Sequence, residues 1–169
     1  DSFTTHYIEQ YKDDYAELYK ADKAWGAWYN CEYLVNTAIT RPNDAYYLYT
    51  ATVYAYSGGA HGSSFTIIKN IDAKTGKVMT LKDIFVPGYE NQLNRLITEK
   101  LCEMNEVKTL QQLRDKTIFM GMEVYPSANF IIGEKDIEFV YSPDEIACHA
   151  MGEVRVKISR KEMENLFKR

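Results

Sequence analysis

No apolar stretch in this 169-residue sequence reaches the roughly 18–20 residues a membrane-crossing helix needs, so no membrane span is expected in this chain. Cysteine is scarce. Cys31, Cys102 and Cys148 are odd in number and lack CxxC spacing, which excludes a dense disulfide scaffold and argues against a zinc knuckle. They read as three reduced, mostly buried thiols, with one disulfide plus a free thiol as the alternative. Runs of lysine and arginine are also missing, and with a net charge of −4 the composition offers nucleic acid no footing. A first residue of Asp rather than Met fits a mature or trimmed product whose signal peptide or lipid anchor has been removed.

Tyrosine, by contrast, is abundant, with 14 residues in a chain that is 46% apolar and 26% charged. Such rings suit half-buried sheet faces and binding surfaces, where the hydroxyl stays wet. From Phe3 to about Asn30, Phe3, Tyr7, Tyr11, Tyr15 and Leu18 recur at three and four, opposite Lys12, Asp13, Glu17 and Lys20. This spacing predicts an amphipathic helix whose aromatic stripe packs on a sheet, extended by Trp25, Trp28 and Tyr29.

Strands are predicted over 31–40, 45–57, 65–71 and 78–81, punctuated by Arg41-Pro42-Asn43-Asp44 and by the 72–77 turn. A helix follows over about 89–104, with Leu93, Leu96, Ile97 and Leu101 on one side, and a shorter one opens at Thr109-Leu110-Gln111-Gln112. Strands return at 129–132, 137–141 and 153–158, before a closing helix over 160–167 that buries Met163, Leu166 and Phe167. With no repeat or linker in between, residues 1–169 read as a single α+β domain. Its mainly antiparallel sheet is packed by the N-terminal aromatic amphipathic helix and a central helix.

The densest cluster of special residues is Tyr54-Ala55-Tyr56-Ser57-Gly58-Gly59-Ala60-His61-Gly62, an elbow between two predicted strands. Glycine at this density implies positive φ or a close approach by another group. The elbow lacks the Lys-Ser or Lys-Thr and the following helix of a phosphate-binding loop. His61 reads first as a turn-shaping residue bonded to neighbouring backbone, and second as part of a ligand- or protein-binding surface. His6 belongs with the first helix and reads as structural, while His149 sits in Cys148-His149-Ala150-Met151-Gly152. Neither HxxxH nor HExxH spacing is present, so no metal site or cofactor is expected. Gly-x-Ser-x-Gly is missing too, and no nucleophile is visibly paired with a base.

Several of these residues occur as a set. Tyr56-Ser57-Gly58-Gly59-Ala60-His61-Gly62, Asn70-Ile71-Asp72, Thr75-Gly76-Lys77 and Leu81-Lys82-Asp83-Ile84-Phe85 resemble the signature of a bacterial extracytoplasmic domain of unknown function. That domain forms the outer, lysozyme-sensing part of the anti-sigma factor RsiV and accompanies the catalytic domain of the peptidoglycan deacetylase PdaC. Asn129-Phe130, Ile137-Glu138-Phe139, Glu145-Ile146-Ala147 and Val154-Arg155-Val156-Lys157-Ile158 extend the likeness over roughly residues 28–167. The chain departs from the pattern at Asp144, where the family often has Tyr, and at Cys148-His149, where it often has Pro-Tyr.

The resemblance implies an α+β domain of the bacterial cell envelope, located in the periplasm or at the cell surface, with a binding or sensing role. The expected function is therefore a non-catalytic module whose ligand is a protein or a cell-wall glycan. Tyr54, Tyr56, Gly58, Gly59, His61 and His149 are its candidate contacts, with no catalytic residue assigned. The alternative is a small hydrolase using His61 or His149 as general base, since an imidazole titrates near neutral pH without much tuning.

Overall fold

The computed structural model describes residues 2–21, 30–58 and 60–168, and of Phe3 only the backbone. The predicted extension through Trp25, Trp28 and Tyr29 lies outside the described residues, as does Gly59. The elements run α1 (Ser2–Ala21), β1 (Glu32–Thr40), β2 (Tyr46–Tyr56), β3 (Ser63–Asp72), β4 (Val78–Met79), α2 (Leu81–Ile84), α3 (Glu90–Met104) and α4 (Leu110–Asp115). Then come β5 (Phe130–Ile132), β6 (Asp136–Tyr141), a 3-10 turn (His149–Met151) and β7 (Val154–Ser159). Among the described residues the strands form two sheets, ordered β1-β2-β3-β4 and β5-β6-β7. The α+β class expected from the sequence is the observed one, its antiparallel strands divided between these sheets.

The described chain forms two compact units. The first comprises Asp1–Val35 and Val53–Ser64, the second Asn36–Thr52 and Phe65–Arg169. In the first unit, Tyr7, Tyr11 and Tyr15 of α1 are half-buried, whereas Leu18 and His6 are exposed. Tyr7 meets Tyr33 with ring centroids 5.5 Å apart, and the Tyr15 hydroxyl donates to the Ser57 carbonyl at 2.9 Å.

The second unit holds the main core. Leu93, Ile97 and Leu101 on α3 are fully buried, as the three-and-four spacing requires, and α3 packs against β7 and α4. Strand β6 pairs antiparallel with β5 (Phe130 opposite Phe139) and with β7 (Phe139 opposite Val156), so inward residues alternate along both ladders. Strand β4 pairs with β3 by Asn70 opposite Met79 and Ile71 opposite Val78. The turn between them is closed by Asp72, whose carboxylate accepts from Lys74 N, Thr75 N and the Thr75 hydroxyl, with Gly76 at φ +68.

Two sequence expectations need correction here. The 78–81 segment is a strand only over Val78–Met79, because Thr80 and Asp83 form a capping box and Leu81 starts α2. Residues 160–167 make successive i→i+3 turns rather than an α-helix, although Met163 and Leu166 are buried as expected.

Candidate functional site

The elbow grows out of β2, whose alternation puts Tyr54 and Tyr56 on one face, both half-buried. Gly58 has φ +95, a conformation few other residues adopt cheaply. At Gly62 a Cβ would come within 2.5 Å of the Tyr54 ring atoms Cε2 and Cζ, so the ring lies against bare backbone. His61 is exposed, with Nδ1 3.2 Å from the Gly62 carbonyl oxygen, a contact that needs the proton on Nδ1. Its first reading, a turn residue bonded to neighbouring backbone, describes this geometry.

Ser57 ties the elbow to α1. A recess of about 190 Å³ is lined by Tyr7, Tyr11, Tyr15, Asp14, Cys31 and Ser57. Tyr11 and Tyr15 stand 5.3 Å apart by ring centroid, and burial, then the nearby Cys31, raises the Tyr7 pKa. Sequence reasoning counted these rings as a packing stripe and left them out of the candidate set. The available signal was their type. Three successive stripe positions carry hydroxyl-tipped rings where Leu, Ile or Phe would pack as well.

His149 belongs to the second unit. Its Nδ1 lies 2.8 Å from Asp144 Oδ2, both side chains are about half exposed at 46%, and Asp144 sits at φ +65. The loop is anchored behind them: Glu145 accepts from Ser142 N and from the Tyr125 hydroxyl, both at 2.8 Å, and the Tyr141 hydroxyl donates to Tyr125 O at 2.7 Å. Burial above all pushes both phenols well above the usual tyrosine range.

The cysteines are free, but only Cys102 is buried. Cys31 is half-buried and Cys148 exposed, which corrects the expectation of mostly buried thiols. A hydrogen bond from Thr117, then backbone amides of the 3-10 turn, hold the Cys148 thiol below its ordinary pKa. Among the described residues, no group of three or more His, Cys, Asp or Glu is placed to hold a metal ion.

A larger recess, about 550 Å³, opens in the second unit between β4, α2, the start of α3 and the chain before β5. Met79, Leu81 and Phe130 line it together with Lys69, Lys82 and Tyr89, and none of the five described sequence-selected residues does.

The sequence model of DUF3298, described as "Protein of unknown function (DUF3298)", matches residues 82–161, from α2 into the turns after β7. The crystal structure of a DUF3298 protein from Bacteroides fragilis superposes on this chain with a TM-score of 0.89 at 28% identity. The match covers 99% of this chain and 68% of that one. A second, from Pseudomonas aeruginosa, superposes at a TM-score of 0.68 and 17% identity, covering 86% of this chain and 67% of that one, and shows the shared fold. No curated protein matches the chain. By the match over 82–161 and the near-complete superposition on the B. fragilis protein, this chain is similar to DUF3298 proteins and shares their fold.

Proposed function

We propose that this chain is a non-catalytic, extracytoplasmic binding or sensing module of the bacterial cell envelope, whose ligand is a protein or a cell-wall glycan. One observation carries the reading: three hydroxyl-tipped rings of α1 surround a recess completed by Ser57 of the glycine–histidine elbow. Aromatic faces with wet hydroxyls stack on sugar rings and hydrogen-bond at their edges, and they serve protein interfaces equally well. Tyr54, Tyr56, Gly58, Gly59 and His61 are the elbow's contribution, and His149 is a separate candidate contact on the second unit. Resemblance to the RsiV sensor favours a protein ligand, and a net charge of −4 suits a basic one.

The test is capture of envelope proteins and binding to an array of peptidoglycan fragments, comparing wild type with His61→Ala and Tyr11→Ala. Loss of one common ligand in both variants supports the reading. Identical binding profiles for all three proteins would remove the elbow and the recess from the account.

A hydrolase using His149 as general base is the second reading, favoured by the Asp144 contact, since a carboxylate can orient an imidazole for proton transfer. It requires a hydrolytic activity on ester or amide substrates that His149→Ala abolishes and Asp144→Asn lowers. An activity indifferent to both substitutions eliminates it.

A further inference from the structure

The 550 Å³ recess of the second unit has no role in the reading above. Its volume lies within the roughly 300–1,000 Å³ of small-ligand sites. Met79, Leu81 and Phe130 give it an apolar lining, and Leu81 and Phe130 are otherwise buried core residues that reach the cavity wall. Its charged groups are few and come from three separate elements: Lys69 on β3, Lys82 on α2, and Glu90 at the first position of α3. Neither lysine makes an ion pair with the described residues, although nine such pairs occur elsewhere in the described chain.

Tyr89 adds a hydroxyl to the wall. It is 7% exposed and lines the recess, yet its hydroxyl makes no hydrogen bond to the described residues. Among the described residues the buried polar atoms left without a partner are Asn94 Oδ1 and Arg114 Nε, so the Tyr89 oxygen itself stays open to solvent and is available to a ligand. Tyr89 is also the N-cap of the 15-residue α3 and offers no side-chain cap, so the positive end of that helix faces the same region. Two ammonium groups against one carboxylate leave a single net positive charge, which suits a monoanion.

We infer that this recess binds a small amphipathic carboxylate, an apolar chain ending in one carboxylate. The chain rests on Met79, Leu81 and Phe130, and the head group takes hydrogen bonds from Lys69, Lys82 and the Tyr89 hydroxyl. The site lies wholly in the second unit and stands or falls independently of the elbow.

The experiment is an NMR-monitored titration of the full chain with sodium octanoate and, separately, with octanol, which has the same chain and no charge. Octanoate is expected to saturate, with shifts centred on β4, α2 and the start of α3, and to bind about tenfold more tightly than octanol, as charge-assisted hydrogen bonds imply. The double variant Lys69→Gln, Lys82→Gln should lose that preference while keeping octanol binding. Ala128→Trp, which fills the recess from an exposed position on its wall, should abolish both. Absence of saturable octanoate binding, equal affinity for the two ligands, or full octanoate binding by the folded Ala128→Trp protein would overturn the inference.

Discussion

Asn70 shows what single residues of the recurring motifs contribute. It is 1% exposed, donates from Nδ2 to Phe130 O at 2.8 Å and accepts at Oδ1 from Ile132 N at 3.3 Å, so one amide joins β3 to β5. Nearby, Asn129 Oδ1 accepts from Ile68 N at 2.9 Å, and the Tyr46 hydroxyl donates to Ile132 O. The sequence displayed Asn70-Ile71-Asp72 as a pattern, but the partners of Asn70 lie 60 or more positions further on, beyond any local reading. Asn70→Ala strands a buried N–H and C=O, and urea unfolding should show a loss of about 2–3 kcal/mol. A loss below about 0.5 kcal/mol would mean that water replaces the amide. Gly62→Ala makes a different prediction. The three atoms nearest the added Cβ all belong to the outer ring of Tyr54, so the ring should swing aside: the near-UV tyrosine signal changes while thermal stability stays close to wild type. A large stability loss instead would show that the ring is locked in place.

At the scale of elements, sequence capping signals were readable where the local chain alone decides the outcome. Thr109 accepts from Gln112 N at 3.2 Å and opens α4 as expected, whereas the box in which Asp83 accepts from Thr80 N and its hydroxyl at 2.7 Å opens α2 inside a segment expected to be strand. The 160–167 segment shows where such reading stops. Ser159 and Glu162 form the same kind of box, with Glu162 accepting from Ser159 N at 3.0 Å and Ser159 Oγ at 2.6 Å. Yet Val86 N must reach Leu166 O, and Lys168 N must reach Ile84 O, each within 2.9 Å. That bridge of Phe167 to Phe85 demands extended chain, so the helix begun at Ser159 cannot run on. The box carries a pH prediction. Hydrogen bonds from Ser159, then from Lys100, lower the Glu162 pKa, so its stabilising effect is present above the ordinary glutamate pKa of about 4.3 and fades as pH falls through the lower folded-state value. Thermal melts should therefore show wild type above Glu162→Gln at neutral pH, with the gap closing below about pH 4. A gap independent of pH would assign the effect to shape rather than charge.

Across the whole molecule, fold and site were unequally legible. The periodicities of 2 and 3.6 located strands β2, β3 and β5–β7 and helix α3, because each covers residues that the sequence marks, whereas β1, exposed along its whole length, was located by its alternation and the turn that ends it. The larger recess could not be read. Its wall joins positions 69, 78–82, 89–90 and 126–130, which only tertiary packing brings together. The same packing sets the response to alkali. Of the 14 tyrosines, Tyr7, Tyr46, Tyr89, Tyr125 and Tyr141 have pKa values raised chiefly by burial. A phenol whose folded pKa is raised favours the folded state below the unfolded value of about 10, and that contribution drains away as pH climbs toward the folded value. Stability should thus decline above about pH 10, and phenolate absorbance should rise in two stages: exposed rings first, the buried set only with unfolding. Tyr141→Phe isolates the cause. It removes the 2.7 Å bond to Tyr125 O, so at neutral pH it should be less stable than wild type by about 1 kcal/mol. It also removes one buried titrating group, so its stability should fall less steeply between about pH 9 and about pH 11. Two parallel alkaline curves would show that Tyr141 titrates alike in folded and unfolded chains, contrary to its burial.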